Sequence, residues 1–528
     1  MAMLVAVGFL FVDLSGRVPS AWFKSLTWLQ LIPSLLQFSQ TLQHGLAVTA
    51  YGFVVILLLT LVFGRVYCSY LCPLGAFKDL LSWFSASVRS WRNKRLRFRF
   101  APPQTKLRYS ILLVVCFSLG SGSLFLVSLL DPYSNFGRFF SDLFRPLYML
   151  CNNGLSRLLE AFGSYALYPV TVAKTNPWAL VFPAAMLAVV VWLAVQRGRL
   201  YCNTVCPVGT LLGLISKASL YKIRFNATAC NRCGNCVFVC KAQCIDVKNK
   251  EVDFSRCVGC GNCLKACDKS GIRYSLARKT KRPEELETTQ TPAVAPQALA
   301  GHSPAADISK RRFVWGGALC MAAFGRLSAA EDSKKGSSRT AVLASHVATP
   351  PGSLALEHFM GSCTACHLCV SACPSGVLKP SFLEYGFWGM LLPFMDFGTS
   401  FCNYECTRCT EVCPNGAILP LSVEKKRLTQ IGIVRFEKEN CVVVTEGTSC
   451  GACSEHCPTK AVSMVPYEGE LTLPETNPDI CIGCGACEHA CPVTPYKAIV
   501  VDGLLRHQEA QKPKEEELEE KPLEAFPF

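Results

Sequence analysis

Between residues 230 and 267 the chain reads Cys230-Asn-Arg-Cys233-Gly-Asn-Cys236-Val-Phe-Val-Cys240, then Cys257-Val-Gly-Cys260-Gly-Asn-Cys263-Leu-Lys-Ala-Cys267. Few patterns restrict a fold so tightly. Gaps of two residues force three thiols into one loop, and the longer third gap carries the fourth thiol out of it. This is the ligand spacing of a 4Fe–4S cubane whose fourth cysteine serves a neighbouring cluster. The expected ligand sets are therefore crossed: Cys230, Cys233, Cys236 with Cys267, and Cys257, Cys260, Cys263 with Cys240. Zinc is the competing metal, but zinc ribbons pair two C-x-x-C knuckles and do not run three thiols in a row.

Four more quartets follow. They are Cys363, Cys366, Cys369, Cys373; Cys402, Cys406, Cys409, Cys413; Cys441, Cys450, Cys453, Cys457; and Cys481, Cys484, Cys487, Cys491. Each ends in Cys-Pro, and two have a lengthened first gap. Their pairing stays open: first with second and third with fourth, or a nested set. The six quartets take 24 of the 32 cysteines, and in a chain of 528 residues this use of cysteine points to metal rather than to disulfides. Cys363-Thr-Ala-Cys366-His367 also matches a c-type haem attachment pattern, but Cys369 and Cys373 complete a cluster quartet around it. After each quartet comes a short β-prone run, so the modules should repeat cluster loop, short helix and strand. Cys116 and Cys320 read as packing residues in apolar runs. Cys151 and Cys244 have no partner spacing.

Upstream, the chain is apolar. Residues 46–64, 109–130 and 177–196 predict membrane spans, each near the length of about 20 residues that a bilayer needs. Residues 2–12 are apolar but short. Residues 13–45, with Trp22, Phe23, Trp28 and Pro33, read as an interfacial segment. The loop 65–108 holds ten Lys/Arg against one acid, and 131–176 holds four against three. Basic loops stay inside, so 65–108 and 197 onward should be cytoplasmic and 131–176 should face outward. The net charge of +15 is accounted for in large part by basic residues flanking apolar segments, which argues against nucleic-acid binding.

An internal repeat marks two points where spans return to the inner side. One copy is Gly64-Arg65-Val66-Tyr67-Cys68-Ser-Tyr-Leu-Cys72-Pro73-Leu-Gly75, and the other is Gly198-Arg199-Leu200-Tyr201-Cys202-Asn-Thr-Val-Cys206-Pro207-Val-Gly209. C-x-x-x-C on a helix puts both sulfurs on one face. Proline after the second thiol suits a helix start, where the dipole should lower the thiol pKa. Cys68, Cys72, Cys202 and Cys206 are therefore candidate redox thiols or metal ligands.

The expected architecture is multidomain: an all-α transmembrane bundle plus α+β ferredoxin-like 4Fe–4S modules. The bundle takes residues 1–219 and a two-cluster module takes 220–275. A linker follows over 276–312. Residues 313–330, after Lys310-Arg311-Arg312, are an export-signal-like segment or a fifth membrane helix. A second linker covers 331–355, a four-cluster module 356–503 and a disordered tail 504–528. No nucleophile elbow, phosphate-binding loop, dinucleotide fingerprint or zinc-protease motif is present. Clusters in series move single electrons, and a membrane domain feeding them implies a lipid-soluble donor, a quinol. His44, Asp131, Tyr133 and Arg138 at the outer interface could accept its protons.

The spans with paired C-x-x-x-C-P motifs and the two-cluster module resemble the membrane ferredoxin of the quinol dehydrogenase serving periplasmic nitrate reductase (NapH-like). They also resemble the membrane end of the nitrous-oxide reductase regulator. The export-like segment and four Cys-Pro quartets resemble that system's periplasmic four-cluster partner (NapG-like, also similar to the methylamine-utilisation ferredoxin, MauM-like). The chain is similar to a fusion of the two. The resemblance implies a multi-pass protein of the bacterial inner membrane. It would carry electrons from menaquinol or ubiquinol, through six 4Fe–4S clusters, to a periplasmic reductase or cytochrome acceptor. The first module would be cytoplasmic and the C-terminal one periplasmic. A maturation or redox-sensing factor for a terminal reductase is the alternative.

Overall fold

The computed structural model describes residues 2–13, 18–44, 51–91, 98–172, 176–226, 229–276 and 347–512. The export-like segment and nearly all of the linker sequence lie outside the described residues.

The N-terminal part is helical. Its longest apolar element is the helix Pro177–Arg197, which by length and composition could cross a membrane. Asn176 caps its start by accepting from Trp178 N at 3.1 Å, with Pro177 in the first turn. Gly198 stops it at φ +60°, and Gly64 stops the helix Gly52–Phe63 at φ +80°. The glycine of each repeat is thus a helix terminator, placed where the backbone needs a positive φ. At a rise of about 1.5 Å per residue, Pro177–Arg197 extends roughly 30 Å.

One expected span comes out differently and another is described only in part. Of 46–64, residues 46–50 lie outside the described residues and the helix Gly52–Phe63 covers most of the rest. Over 109–130 there is no single helix. Thr105–Gly120 ends at a turn around Gly122 (φ +79°), and Phe125–Leu130 packs back against it, joining Val115 to Leu124 and Val127. Gly122, at a positive φ, permits the reversal. Asp131 then caps Pro132–Arg138 through Ser134 N at 2.8 Å, followed by a π-helical turn, Phe139–Phe144. Residues 13–45 are not simply interfacial. Ser20–Trp28 buries Phe23, and Leu31–His44 packs on Gly52–Phe63 with Phe38 and Phe53 rings 4.9 Å apart. Large apolar side chains stay exposed around this domain, among them Leu58, Leu113, Phe117, Trp178, Val181 and Trp192.

The two-cluster module is closed by Tyr221–Phe225 paired antiparallel with Ile272–Leu276, and Ile245–Asp246 pairs with Glu251–Val252. The C-terminal module begins earlier than expected. Ala348 O accepts from Tyr385 Oη at 3.2 Å and Gly352 O from Leu419 N at 2.9 Å, so residues from 347 belong to it. It also ends later. Ile499–Glu509 is one strand paired with Thr429–Phe436 across a bulge, and Ala510 N donates to Leu428 O at 2.8 Å. The disordered-tail reading fails over 504–509 because Leu504 to Glu509 is strand sequence that completes a ladder. Strands form after five of the six quartets, at Ile245–Asp246, Ile272–Leu276, Leu378–Pro380, Val462–Pro466 and Ile499–Glu509. None forms at 416–419, where Leu419 bonds instead to Gly352.

The two modules sit at opposite ends of Pro177–Arg197. At its N-terminus the Trp178 ring lies 6.3 Å from Phe382 of the C-terminal module. Just past its C-terminus Arg199 N donates to Lys241 O of the two-cluster module at 3.0 Å.

Candidate metal centres

The cluster loops share one backbone device. The residue after the second cysteine is left-handed: Gly234 (φ 81°), Gly261 (φ 71°), His367 (φ 61°) and Gly485 (φ 79°). That twist ends the loop and starts a short helix carrying the third cysteine. The two quartets with lengthened first gaps do without it, at Thr407 (φ −114°) and Gly451 (φ −134°). The extra residues there supply the turn.

Thiols gather as the crossed spacing predicts. One cavity is lined by Cys230, Cys233, Cys236 and Cys267, and another by Cys240, Cys257, Cys260 and Cys263. In the C-terminal module one cavity is lined by Cys373, Cys402, Cys406 and Cys409, and another by Cys441, Cys450, Cys453 and Cys491. Cys413 lies in electrostatic reach of Cys363, Cys366 and Cys369, and Cys457 in reach of Cys481, Cys484 and Cys487. The first quartet thus exchanges its last thiol with the second, and the third with the fourth. Cys402 N donates to Cys484 O at 2.9 Å, which joins the two pairs.

The residues fit a cluster better than a single ion. Among the described residues no three Cys, His, Asp or Glu side chains converge on one ion-sized point. Zinc needs that convergence, whereas a cubane spreads its thiolates over four irons. Backbone amides point at sulfur, with Ala365 N to Cys363 Sγ and Gly483 N to Cys481 Sγ both 3.4 Å. Burial pushes Cys453 up to about 11, and Cys366 and Cys484 up to about 12. Thiols so placed ionise only against a strong local cation, and an iron–sulfur core supplies one.

His367 is not free for haem. Its Nδ1 lies 2.7 Å from Asp142 Oδ2 and its Nε2 2.7 Å from Leu391 O. It ties the C-terminal module to the π-helical turn of the helical domain. Beside it Asp131, Tyr133 and Arg138 are buried, not interfacial, and in electrostatic reach of Cys366. Tyr133 Oη and Arg138 Nε and Nη1 have no hydrogen-bond partner among the described residues. Nothing is described of the His44 side chain. Cys116 is exposed rather than packed inside, as is Cys151, and Cys320 lies outside the described residues. Cys244, with no partner in sequence, lines the Cys240 cavity 3.7 Å from Cys240 Sγ.

The paired motifs meet. Cys68, Cys72, Cys202 and Cys206 are buried free thiols within electrostatic reach of one another. Each second cysteine caps the next helix, Cys72 Sγ accepting from Gly75 N at 3.4 Å and Cys206 Sγ from Gly209 N at 3.3 Å. The expected lowering by the helix start is outweighed: burial pushes both thiols up. The repeats also swap arginines. Arg65 Nη2 donates to Cys202 O at 3.0 Å, and Arg199 Nη1 to Cys68 O at 2.5 Å. Arg65 Nη1 further bonds Asn203 Oδ1 and Ser255 O, both at 2.9 Å. Arg199 is bidentate to Asp79, at 3.0 and 2.8 Å. Burial alone would raise Asp79, but Arg199 and Lys241 outweigh it and hold the carboxyl below its usual range. Lys78 Nζ is 3.5 Å from Cys202 Sγ and 4.3 Å from the Tyr201 ring centre. The repeated Gly-Arg was visible in sequence, whereas Lys78 and Asp79 carried no such signal.

Comparison with known proteins agrees with the cysteine chemistry. A model described as a 4Fe-4S binding domain matches residues 47–99 and 178–227, one match per C-x-x-x-C-P repeat. Models described as 4Fe-4S dicluster domains match 253–377, and 401–461 with 447–495. The methylamine utilization ferredoxin-type protein MauM of Methylobacillus flagellatus is 32% identical over 147 residues, 26% of this chain and 62% of the relative. The ferredoxin-type protein NapF of Escherichia coli K12 is 28% identical over 26% of this chain and 77% of the relative. NapG of the same strain is 32% identical over 25% of this chain and 61% of the relative. The chain thus spans about three fifths of the length of the MauM and NapG relatives. No solved structure matches. The chain is an iron–sulfur electron-transfer protein with several 4Fe–4S domains, related over part of its length to the MauM, NapF and NapG ferredoxin-type proteins.

Proposed function

We propose that this chain takes electrons from quinol in a bacterial inner membrane and delivers them to a periplasmic reductase or cytochrome. The observation that carries the reading is the position of the two modules at opposite ends of Pro177–Arg197, the one helix of membrane-spanning length among the described residues. Leu58, Phe117, Val181 and Trp192 are large apolar side chains left exposed on the helical domain, and a lipid contact would cover them.

Six quartets would each hold a 4Fe–4S cluster, which when bound accepts and releases single electrons. The ligand sets are those of the crossed first module, together with Cys363, Cys366, Cys369, Cys413; Cys402, Cys406, Cys409, Cys373; Cys441, Cys450, Cys453, Cys491; and Cys481, Cys484, Cys487, Cys457. The protein's part is to hold these quartets in a row and shield them. Cys366 stands at the helical domain, against Gly137, where an added Cβ would lie 2.2 Å from Cys366 O. Asp131, Tyr133 and Arg138 lie between that quartet and Tyr201, whose Oη donates to Leu130 O at 3.1 Å. The buried Tyr133 Oη and Arg138 Nε and Nη1, unpartnered among the described residues, suit hydrogen bonds to the oxygens of a quinol head group, and the Asp131 carboxylate beside them could take the proton it releases.

The pairing has its own test. Cys413→Ala should remove the cluster of Cys363, Cys366 and Cys369 and spare the one held by Cys402, Cys406 and Cys409. Assigned spectra showing the reverse would mean that each quartet keeps its own fourth ligand. The function is tested by mixing the lipid-reconstituted protein with a menaquinol analogue. Reduction of several clusters within a turnover time of about a second or less is expected. If none reduces, the quinol reading is lost and a maturation or sensing role replaces it.

A further inference from the structure

The two-cluster module carries one thiol more than its quartets use. Cys244 is 2% exposed, and its Sγ lies 3.7 Å from Cys240 Sγ and within hydrogen-bonding reach of Cys257. It lines the same cavity as Cys240, Cys257, Cys260 and Cys263. That cavity therefore holds five sulfurs where a cubane takes four thiolates.

The backbone brings this position to the cluster in module after module. Three residues past the last cysteine of each of the first five quartets the chain turns left-handed, at Gln243 (φ 54°), Ser270 (φ 51°), Gly376 (φ 67°), Gly416 (φ 72°) and Lys460 (φ 56°). The next residue is buried each time: Cys244, Gly271, Val377, Ala417 and Ala461. Gly271 lines the cavity of Cys230, Cys233, Cys236 and Cys267, and Val377 that of Cys373, Cys402, Cys406 and Cys409, as Cys244 lines its own. Cys240 accepts a hydrogen bond from the Cys244 amide, as Cys413 does from the Ala417 amide. Glycine, valine or alanine is enough to fill this place. A thiol there adds a soft metal donor that packing does not require.

We infer that Cys244 is an alternative fourth ligand of the centre held by Cys257, Cys260 and Cys263, interchangeable with Cys240. In the exchange the bond from iron to Cys240 Sγ breaks and one from the same iron to Cys244 Sγ forms. The Cys244 thiol proton passes across the 3.7 Å contact to Cys240 Sγ. No electron moves and no co-reactant is needed. The centre thereby keeps four thiolates when Cys240 is lost. The inference rests on the quartets of the proposed function, not on the quinol or the acceptor.

Full-length protein purified anaerobically from membranes carries the test, read by iron content and by EPR of the oxidised state. A 4Fe–4S centre short of one thiolate sheds iron, either about one atom, leaving an EPR-active 3Fe–4S core, or about four. Cys267→Ala, with only Gly271 beside it, should do so. Cys240→Ala should keep the wild-type iron and spectrum, and Cys240→Ala/Cys244→Ala should lose as much iron as Cys267→Ala. Equal loss from Cys240→Ala and the double variant overturns the inference, and so does full iron in the double variant. Iron lost from Cys244→Ala alone would make Cys244 the sole fourth ligand and overturn the exchange. Should Cys240→Ala misfold, Cys240→Ser and Cys240→Ser/Cys244→Ala decide. The first should hold about one to four more iron atoms than the second, and equal iron overturns the inference. Full iron in Cys267→Ala would sink the quartet assignment itself, and the inference with it.

Discussion

Gly209→Ala should destabilise the helical domain by about 3 kcal/mol or more, the upper range for overpacking. The added methyl would lie 2.2 Å from Cys202 O and 2.9 Å from Arg65 Nη2. Neither neighbour can yield. The carbonyl accepts from Arg65, and Arg65 is fixed by Asn203 and Ser255. Gly75→Ala meets the mirror-image obstacle, 2.2 Å from Cys68 O and 2.8 Å from Arg199 Nη1. Gly154→Ala is the control. It lies within Arg145–Ala161 with nothing within 4 Å of its added methyl, so helix propensity should stabilise it by up to about 1 kcal/mol. Thermal unfolding in detergent reads all three. Equal stability of the Gly209 and Gly154 variants would contradict the close approach of the two repeats.

His367→Ala should loosen the C-terminal module from the helical domain. Its ring is 0% exposed and bridges Asp142 and Leu391 O. Truncation leaves a buried carboxylate and a carbonyl unpaired, at a cost of about 3–5 kcal/mol. That raises the undocked population by at least about 100-fold. Hydrogen exchange over 132–144 and 364–372 should accelerate accordingly, while the strands Thr429–Phe436 and Ile499–Glu509 keep their protection. Unchanged exchange over 132–144 would show that the module is held without His367, by contacts such as those of Phe125 with Phe387 and Trp388 and of Trp178 with Phe382.

The cluster chemistry was legible because ligand spacing is local. Gaps of two residues fix which thiols share a loop, and the crossing in the first module follows from the same geometry. The C-terminal pairing was not legible, since four Cys-Pro endings look alike. What separates them is tertiary: Cys373 reaches the Cys402 cavity and Cys491 the Cys441 cavity. The spans were harder. Apolar content over 109–130 is that of a span, but Gly122 lets the chain turn back and bury Asp131. The tail was misjudged because its Lys/Glu-rich end obscured a short strand sequence before it. The repeat of Gly-Arg-x-Tyr-Cys was visible, but not that each arginine serves the other copy. A contact between residues more than 130 positions apart leaves no trace in spacing.

Electron flow across a membrane requires the two cluster modules to lie on its opposite faces. Topology reporters, one inserted after residue 276 and one fused after residue 512, test this directly in cells. The prediction is a cytoplasmic signal from the first and a periplasmic signal from the second. Cytoplasmic signals from both would remove the transmembrane electron route.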